Sequence, residues 1–152
     1  MRDTKVDDRA RAEPPSGDEP DARIKAAHGL RILVVDDNVD AAETMAMLVE
    51  LQGHEARIAH DGREAVSIAL AERPDVVLLD IGLPRQNGYE ACKAMRQGGL
   101  TTALIVATTG YGQEEARRLS REAGFDAHHV KPVSLSTLHE ILCQQTAARK
   151  LS

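Results

Sequence analysis

Three carboxylates, an ammonium and a hydroxyl stand at the ends of apolar runs in this chain, and these are the residues whose types and placement could do chemistry. Asp36 and Asp37 close the run LRILVV, Asp80 closes DVVLL, Thr109 closes ALIVAT and Lys131 follows FDAHHV. Each has an ordinary explanation alone. An Asp pair before a helix is a common cap, Asp before Gly-Leu-Pro suits a turn, Thr favours strands and Lys is a common surface residue. Those explanations do not require all five to meet on one rim. Two like charges about 4 Å apart repel by about 4 kcal/mol at an effective dielectric near 20, so clustered carboxylates require a cation. A hard, oxygen-liganded divalent ion fits, and magnesium suits one or two direct carboxylates completed by water and a phosphate oxygen. Zinc would favour His or Cys, and His54, His60, His128, His129 and His139 are not spaced as a closed site.

The elements that must carry these residues alternate regularly from Leu30 onward. Strands are expected over 30–36, 55–59, 75–80, 103–109 and 125–130. The first is apolar throughout rather than alternating, as for a strand covered on both faces. A helix follows each strand. The first is capped by Asp37 or Asn38, with Ala41, Met45 and Leu48 inward. The second starts at Asp61 and Gly62, turns Ala65, Ile68 and Ala69 inward, and ends before Pro74. The third runs over 89–97 to Gly98 and Gly99, the fourth over 113–123 to Gly124, and the last from Ser134 or Ser136 towards Gln145. Five βα units with short links predict an α/β fold, a doubly wound five-stranded parallel sheet with helices on both faces. Ligands of such sheets bind beyond the carboxyl ends of the strands, which is where the candidate residues fall.

The rest of the chain bounds the function. At 152 residues and 42% apolar content, one core and one domain are expected. Residues 1–28 mix acid and base with Pro14, Pro15 and Pro20 and predict a disordered tail; the folded unit is expected over 29–147, with 148–152 as a short C-terminal tail. A net charge of −5 and very few aromatic rings argue against nucleic acid as a direct partner. No run approaches the roughly 20 apolar residues of a membrane span, and the amino terminus lacks the apolar core of a secretory signal, so a cytoplasmic protein is expected. Cys92 and Cys143 are expected to be buried packing residues.

Over about residues 30–146 the sequence resembles the receiver domain of response regulators, the CheY-like superfamily of two-component systems. The resemblance rests on VVDDN (Val34 to Asn38), LLDIGLP with NG following (Leu78 to Pro84, Asn87, Gly88), ATTG (Ala107 to Gly110) and VKP (Val130 to Pro132), in that order. It implies a flavodoxin-like strand order 2-1-3-4-5, with Asp80 as phosphoacceptor. Asp37 would bind Mg2+ directly and Asp36 largely through water, with the Gly82 carbonyl as a further ligand. Thr109 would hydrogen-bond the phosphoryl group and Lys131 would pair with it, across a cis bond to Pro132. The donor would be a sensor histidine kinase or histidine phosphotransfer protein. Such a domain is a phosphoprotein that signals, catalysing only its own phosphorylation and dephosphorylation.

Departures from the family pattern matter. The activation-coupled aromatic position, three residues before Lys131, is His128, read here as a smaller polar switch responding to Thr109. Gly82 opens a path for hydrolytic water while Tyr111 would shield it. No output module is expected after the last helix, so the output would be protein contact or phosphate relay, as a monomer or weak dimer through the helix 4, strand 5, helix 5 face, with an unknown downstream protein. The charged face of helix four, including Arg117, Arg118 and Arg121, reads as solvated. Two alternatives are a phosphate-independent interaction module, which a degenerate acidic pocket would mark, and an aspartyl phosphohydrolase, which would need a second Asp where Gly82 stands. A dinucleotide or flavin binder would need a glycine-rich loop in place of Asp36, Asp37 and Asn38.

Overall fold

The computed structural model describes residues 29–82, 87–110 and 114–151. Five strands, β1 (Arg31–Val35), β2 (Glu55–Ala59), β3 (Val76–Asp80), β4 (Leu104–Thr109) and β5 (Ala127–Val130), form one parallel sheet in the order β2-β1-β3-β4-β5. The intervening and final helices are α1 (Val39–Leu51), α2 (Gly62–Glu72), α3 (Gly88–Gln97), α4 (Glu114–Ala123) and α5 (Leu135–Leu151). This is the doubly wound, flavodoxin-like arrangement expected. The expected tail over 1–28 lies outside the described residues, as do Leu83, Pro84 and Tyr111.

Strand alternation divides the core in two. Leu33, Val35, Val77, Leu79 and Ile105 face α2, α3 and α4, while Ile32, Val34, Val76, Leu78 and Val106 face α1 and α5. Both faces are therefore dry, which is why the strands carry continuous apolar runs. Each fully buried Val or Leu contributes about 1.5–3 kcal/mol, and with almost no rings to fill space, small residues such as Ala65, Ala69 and Ala91 bring the helices close to the sheet. The edge strand β2 exposes Glu55 and Arg57, charges that oppose edge-to-edge pairing.

Local signals set the boundaries. Asn38, Asp61 and Asn87 cap α1, α2 and α3 by accepting the N–H of Ala41, Glu64 and Glu90 at 3.0, 2.8 and 3.0 Å. Three expectations need correction. The fully buried residues of α1 are Ala42, Ala46 and Val49, with Met45 and Leu48 partly buried against the same core as expected and Ala41 on the exposed side instead; Met45 and Leu48 also flank a cavity of about 440 Å3 beside the sheet. Helix α5 continues past Gln145 to Leu151, since Ala147 and Ala148 are strong helix formers and no Gly or Pro follows to stop it. Cys143 is exposed, whereas Cys92 is buried, because Cys143 falls on the side of α5 away from Leu138, Ile141 and Leu142.

Candidate functional site

The sheet delivers the candidate residues to one rim. Central β3 is buried along its whole length between β1 and β4, so Asp80 emerges on a strand fixed from both sides, paired in register with Thr108. The next residue is held too, Ile81 N–H donating to the Thr108 carbonyl at 3.1 Å. Asp36 continues the β1 ladder, its N–H donating to the Ala59 carbonyl at 3.1 Å. Lys131 donates its backbone N–H to the Thr109 carbonyl at 2.7 Å, and the Lys131–Pro132 peptide is cis.

The side chains then converge. Lys131 Nζ donates to Asp36 Oδ2 at 2.9 Å and to Asp80 Oδ2 at 3.2 Å. The second oxygen of each carboxylate takes a local backbone N–H, that of Asn38 at 3.0 Å for Asp36 and that of Gly82 at 3.0 Å for Asp80. Asp36 and Asp80 are only 7% and 8% exposed, so the ammonium and these N–H groups compensate charge that is largely withdrawn from water. Partial burial works against the ammonium, but its hydrogen bond to Asp36 and the charge of Asp80 outweigh that, and the Lys131 pKa stands above its ordinary value.

Asp37 completes the cluster from an exposed position, with one oxygen of each of Asp36, Asp37 and Asp80 mutually within 4.8 Å. An all-carboxylate donor set with one face open to solvent fits a hard divalent cation, and a single Lys131 ammonium leaves a formal surplus of negative charge for that cation to offset. Thr109 is buried at the end of β4. The structure therefore brings Asp36, Asp37, Asp80 and Lys131 together and sets Thr109 and Gly82 on the same rim.

His128 is half-buried on β5, and its Nδ1 lies 3.3 Å from Ser120 Oγ of α4. The Ser120 hydroxyl spends its proton on the Ala116 carbonyl at 2.8 Å, so Nδ1 carries the ring proton and donates to Ser120. Three contributors were not singled out from sequence. Thr108 lies inside an apolar strand and Ser120 inside a highly charged helix, and neither gives a signal of its own. Gly88 belongs to a recognised motif, but its reason is steric: a Cβ there would meet Ile81 Cα and come within 2.8 Å of the Asp80 carbonyl. Only glycine lets α3 begin that close to the end of β3.

A doubly wound sheet gathers carboxylates, an ammonium and a buried hydroxyl at its C-terminal rim, which defines an α/β domain with an acidic site at the strand ends. The chain belongs to the response regulator receiver domain family, whose model matches residues 32–143. It is 36% identical over 109 residues to the response regulator MprA of Mycolicibacterium vanbaalenii, covering 72% of this chain and 47% of that protein. The chain thus spans about half the length of the curated relatives it matches. Among solved structures it resembles chemotaxis protein CheY4 of Vibrio cholerae, with a TM-score of 0.72 and 28% identity over 76% of this chain and 98% of that one. It also resembles the receiver domain of sensor histidine kinase PA1611 from Pseudomonas aeruginosa, with a TM-score of 0.71 and 28% identity over 78% of this chain and 98% of that one. In that structure a magnesium ion is coordinated in the active site cleft. The chain is thus a receiver domain of the response-regulator family, a family of signalling domains rather than of conventional enzymes. Among the described residues no helix is long and apolar enough to cross a membrane.

Proposed function

We propose that Asp80 accepts a phosphoryl group, in a magnesium-dependent reaction, from a sensor histidine kinase or a histidine phosphotransfer protein, and that the folded unit over 29–147 acts in the cytoplasm by protein contact or by passing the phosphate on. The observation that carries this reading is the bridge of Lys131 Nζ between Asp36 and Asp80 at 2.9 and 3.2 Å, with Asp37 in the same cluster. Asp36, Asp37, Asp80 and the Gly82 carbonyl would hold Mg2+, which when bound neutralises charge on the transferring phosphoryl oxygens.

The chain's own groups do the rest. A carboxylate oxygen of Asp80 attacks phosphorus in line, the bond from phosphorus to the donor nitrogen breaks, and an acyl phosphate remains on Asp80. Lys131 then pairs with the phosphoryl group in place of the Asp80 oxygen it now holds. The buried Thr109 hydroxyl donates to a phosphoryl oxygen and draws the end of β4 inward. Little covalent work falls to other side chains, so positioning and charge compensation are the catalysis. Gly82, exposed beside Asp80, leaves a path for hydrolytic water.

The output follows from a two-state surface of α4, β5 and α5. His128 takes the switch position, and its link to Ser120 gives it a route to α4. His128→Ala is expected to narrow the difference in partner affinity between phosphorylated and unphosphorylated protein. Unchanged affinities in both states would remove His128 from the mechanism. The phosphoryl transfer itself is tested by intact-mass measurement after incubation with a small acyl phosphate. A gain of one phosphoryl group with Mg2+, absent without it and absent in Asp80→Asn, is expected. Partner binding with no gain under any condition would favour a phosphate-independent module instead.

A further inference from the structure

A second group of ligand atoms lies on α5. His139 and Cys143 are four residues apart, one helical turn, and so share a face; both are exposed. His139 also contacts Gln52, which caps α1 at the end opposite Asn38, one helix length or about 20 Å from the carboxylate rim. The two clusters are therefore separate.

Their geometry is specific. Cys143 Sγ lies 3.4 Å from His139 Nε2, and across the ring His139 Nδ1 lies 3.2 Å from Gln52 Oε1. Gln52 Oε1 can only accept, so His139 Nδ1 carries the ring proton and donates to it, which leaves Nε2 to accept the Cys143 thiol proton. The Gln52 Nε2 atom is buried and has no hydrogen-bond partner among the described residues. This is the tautomer a metal-binding histidine needs: an oxygen acceptor anchors one ring nitrogen and the other presents its lone pair. With zinc-type bonds of about 2.1 Å to nitrogen and about 2.3 Å to sulfur, two atoms 3.4 Å apart subtend about 100° at the metal. Nε2 and Sγ thus already lie along one edge of a near-tetrahedral site, on the middle of a helix rather than on a loop.

We propose that His139 and Cys143 bind a zinc-class divalent cation, with Gln52 as the positioning residue and water in the remaining positions. The ion takes the place of the thiol proton, which leaves to solvent. Hard cations such as magnesium are excluded by the sulfur and nitrogen donors, so the site is chemically distinct from the acidic rim. Cys92 is no substitute: burial pushes its thiol up to about 11, and it is enclosed in the core.

The test uses the reduced full chain with Co2+ as probe and excess Mg2+ to occupy the acidic rim. A near-ultraviolet thiolate-to-cobalt charge-transfer band that saturates at one ion per chain and is displaced by Zn2+ is expected. Cys143→Ser should abolish the band and His139→Ala should weaken binding about tenfold or more. Both positions are exposed, and metal-free melting curves matching the parent verify that the variants fold. Absence of the band, its persistence in Cys143→Ser, or unchanged affinity in His139→Ala would overturn the proposal.

Discussion

Lys131 shows at the scale of one residue how the site is balanced. Its ammonium compensates two largely buried carboxylates, and burial alone would drive it towards neutrality. The hydrogen bond to Asp36 and the field of Asp80 prevail, and its raised pKa keeps the charge in place through neutral pH. Lys131→Met should therefore have two opposite effects. Acceptance of phosphoryl groups should slow by about a hundredfold, as for loss of one charge-stabilising donor. The orphaned carboxylates should meanwhile hold a divalent cation more tightly, so the Mg2+-induced rise in melting temperature should exceed that of the parent. Time courses of intact mass and paired thermal melts measure the two, and a smaller Mg2+ shift in the variant would contradict the compensation described.

At the scale of elements, much of the site was legible because its residues terminate strands. An apolar run of five or six residues ending in Asp, Thr or Lys fixes both the element and the rim, and short βα links fix the direction. The pairing of Asp36 with Asp80 through Lys131 was not legible as a contact, because their separations of 95 and 51 residues from Lys131 carry no periodicity. On α1 the inward Met45 and Leu48 were legible but Ala41 was misplaced, since two adjacent alanines offer nearly equivalent stripes and the helix buries Ala42. Arg96 was also invisible in sequence. From α3 it makes five hydrogen bonds, to the carbonyls of Gly124, Leu100 and Ala103 and to Asp126, which itself accepts the Ile105 N–H. It thereby ties the ends of α3 and α4 to the start of β4. Arg96→Ala should cost about 3 kcal/mol in chemical denaturation, because buried acceptors lose their donors. Arg96→Lys should recover little of that, since one ammonium cannot span the fork.

The opposite end of the sheet adds a pH dependence. His54, at the entry to β2, accepts the Leu30 N–H at Nδ1 at 2.9 Å, a bond only the neutral ring can make, and burial lowers its pKa. The unfolded chain then binds the proton more readily than the folded one below about pH 6.5. This contribution to stability is fully present above that value and is lost as pH falls through the lowered folded pKa. Denaturation midpoints should decline between about pH 7.5 and about pH 5.5, and less steeply in His54→Asn, which keeps an acceptor but does not titrate. Equal slopes would assign the decline to other groups.

On the scale of the whole molecule, the two half-cores and the rim play different parts. The dry layers on either face of the sheet hold five strand ends in fixed register, and the rim collects like charges that the fold alone leaves incompletely compensated. Local consistency is given up at that rim, where a cation and a phosphoryl group would restore it. The most direct test of that view locates the phosphate. After exposure to a small acyl phosphate with Mg2+, borohydride reduction followed by peptide mass mapping should convert residue 80, and no other aspartate, to homoserine. Conversion at a different aspartate, or equal conversion of residue 80 when the divalent cation is chelated before the donor is added, would contradict it.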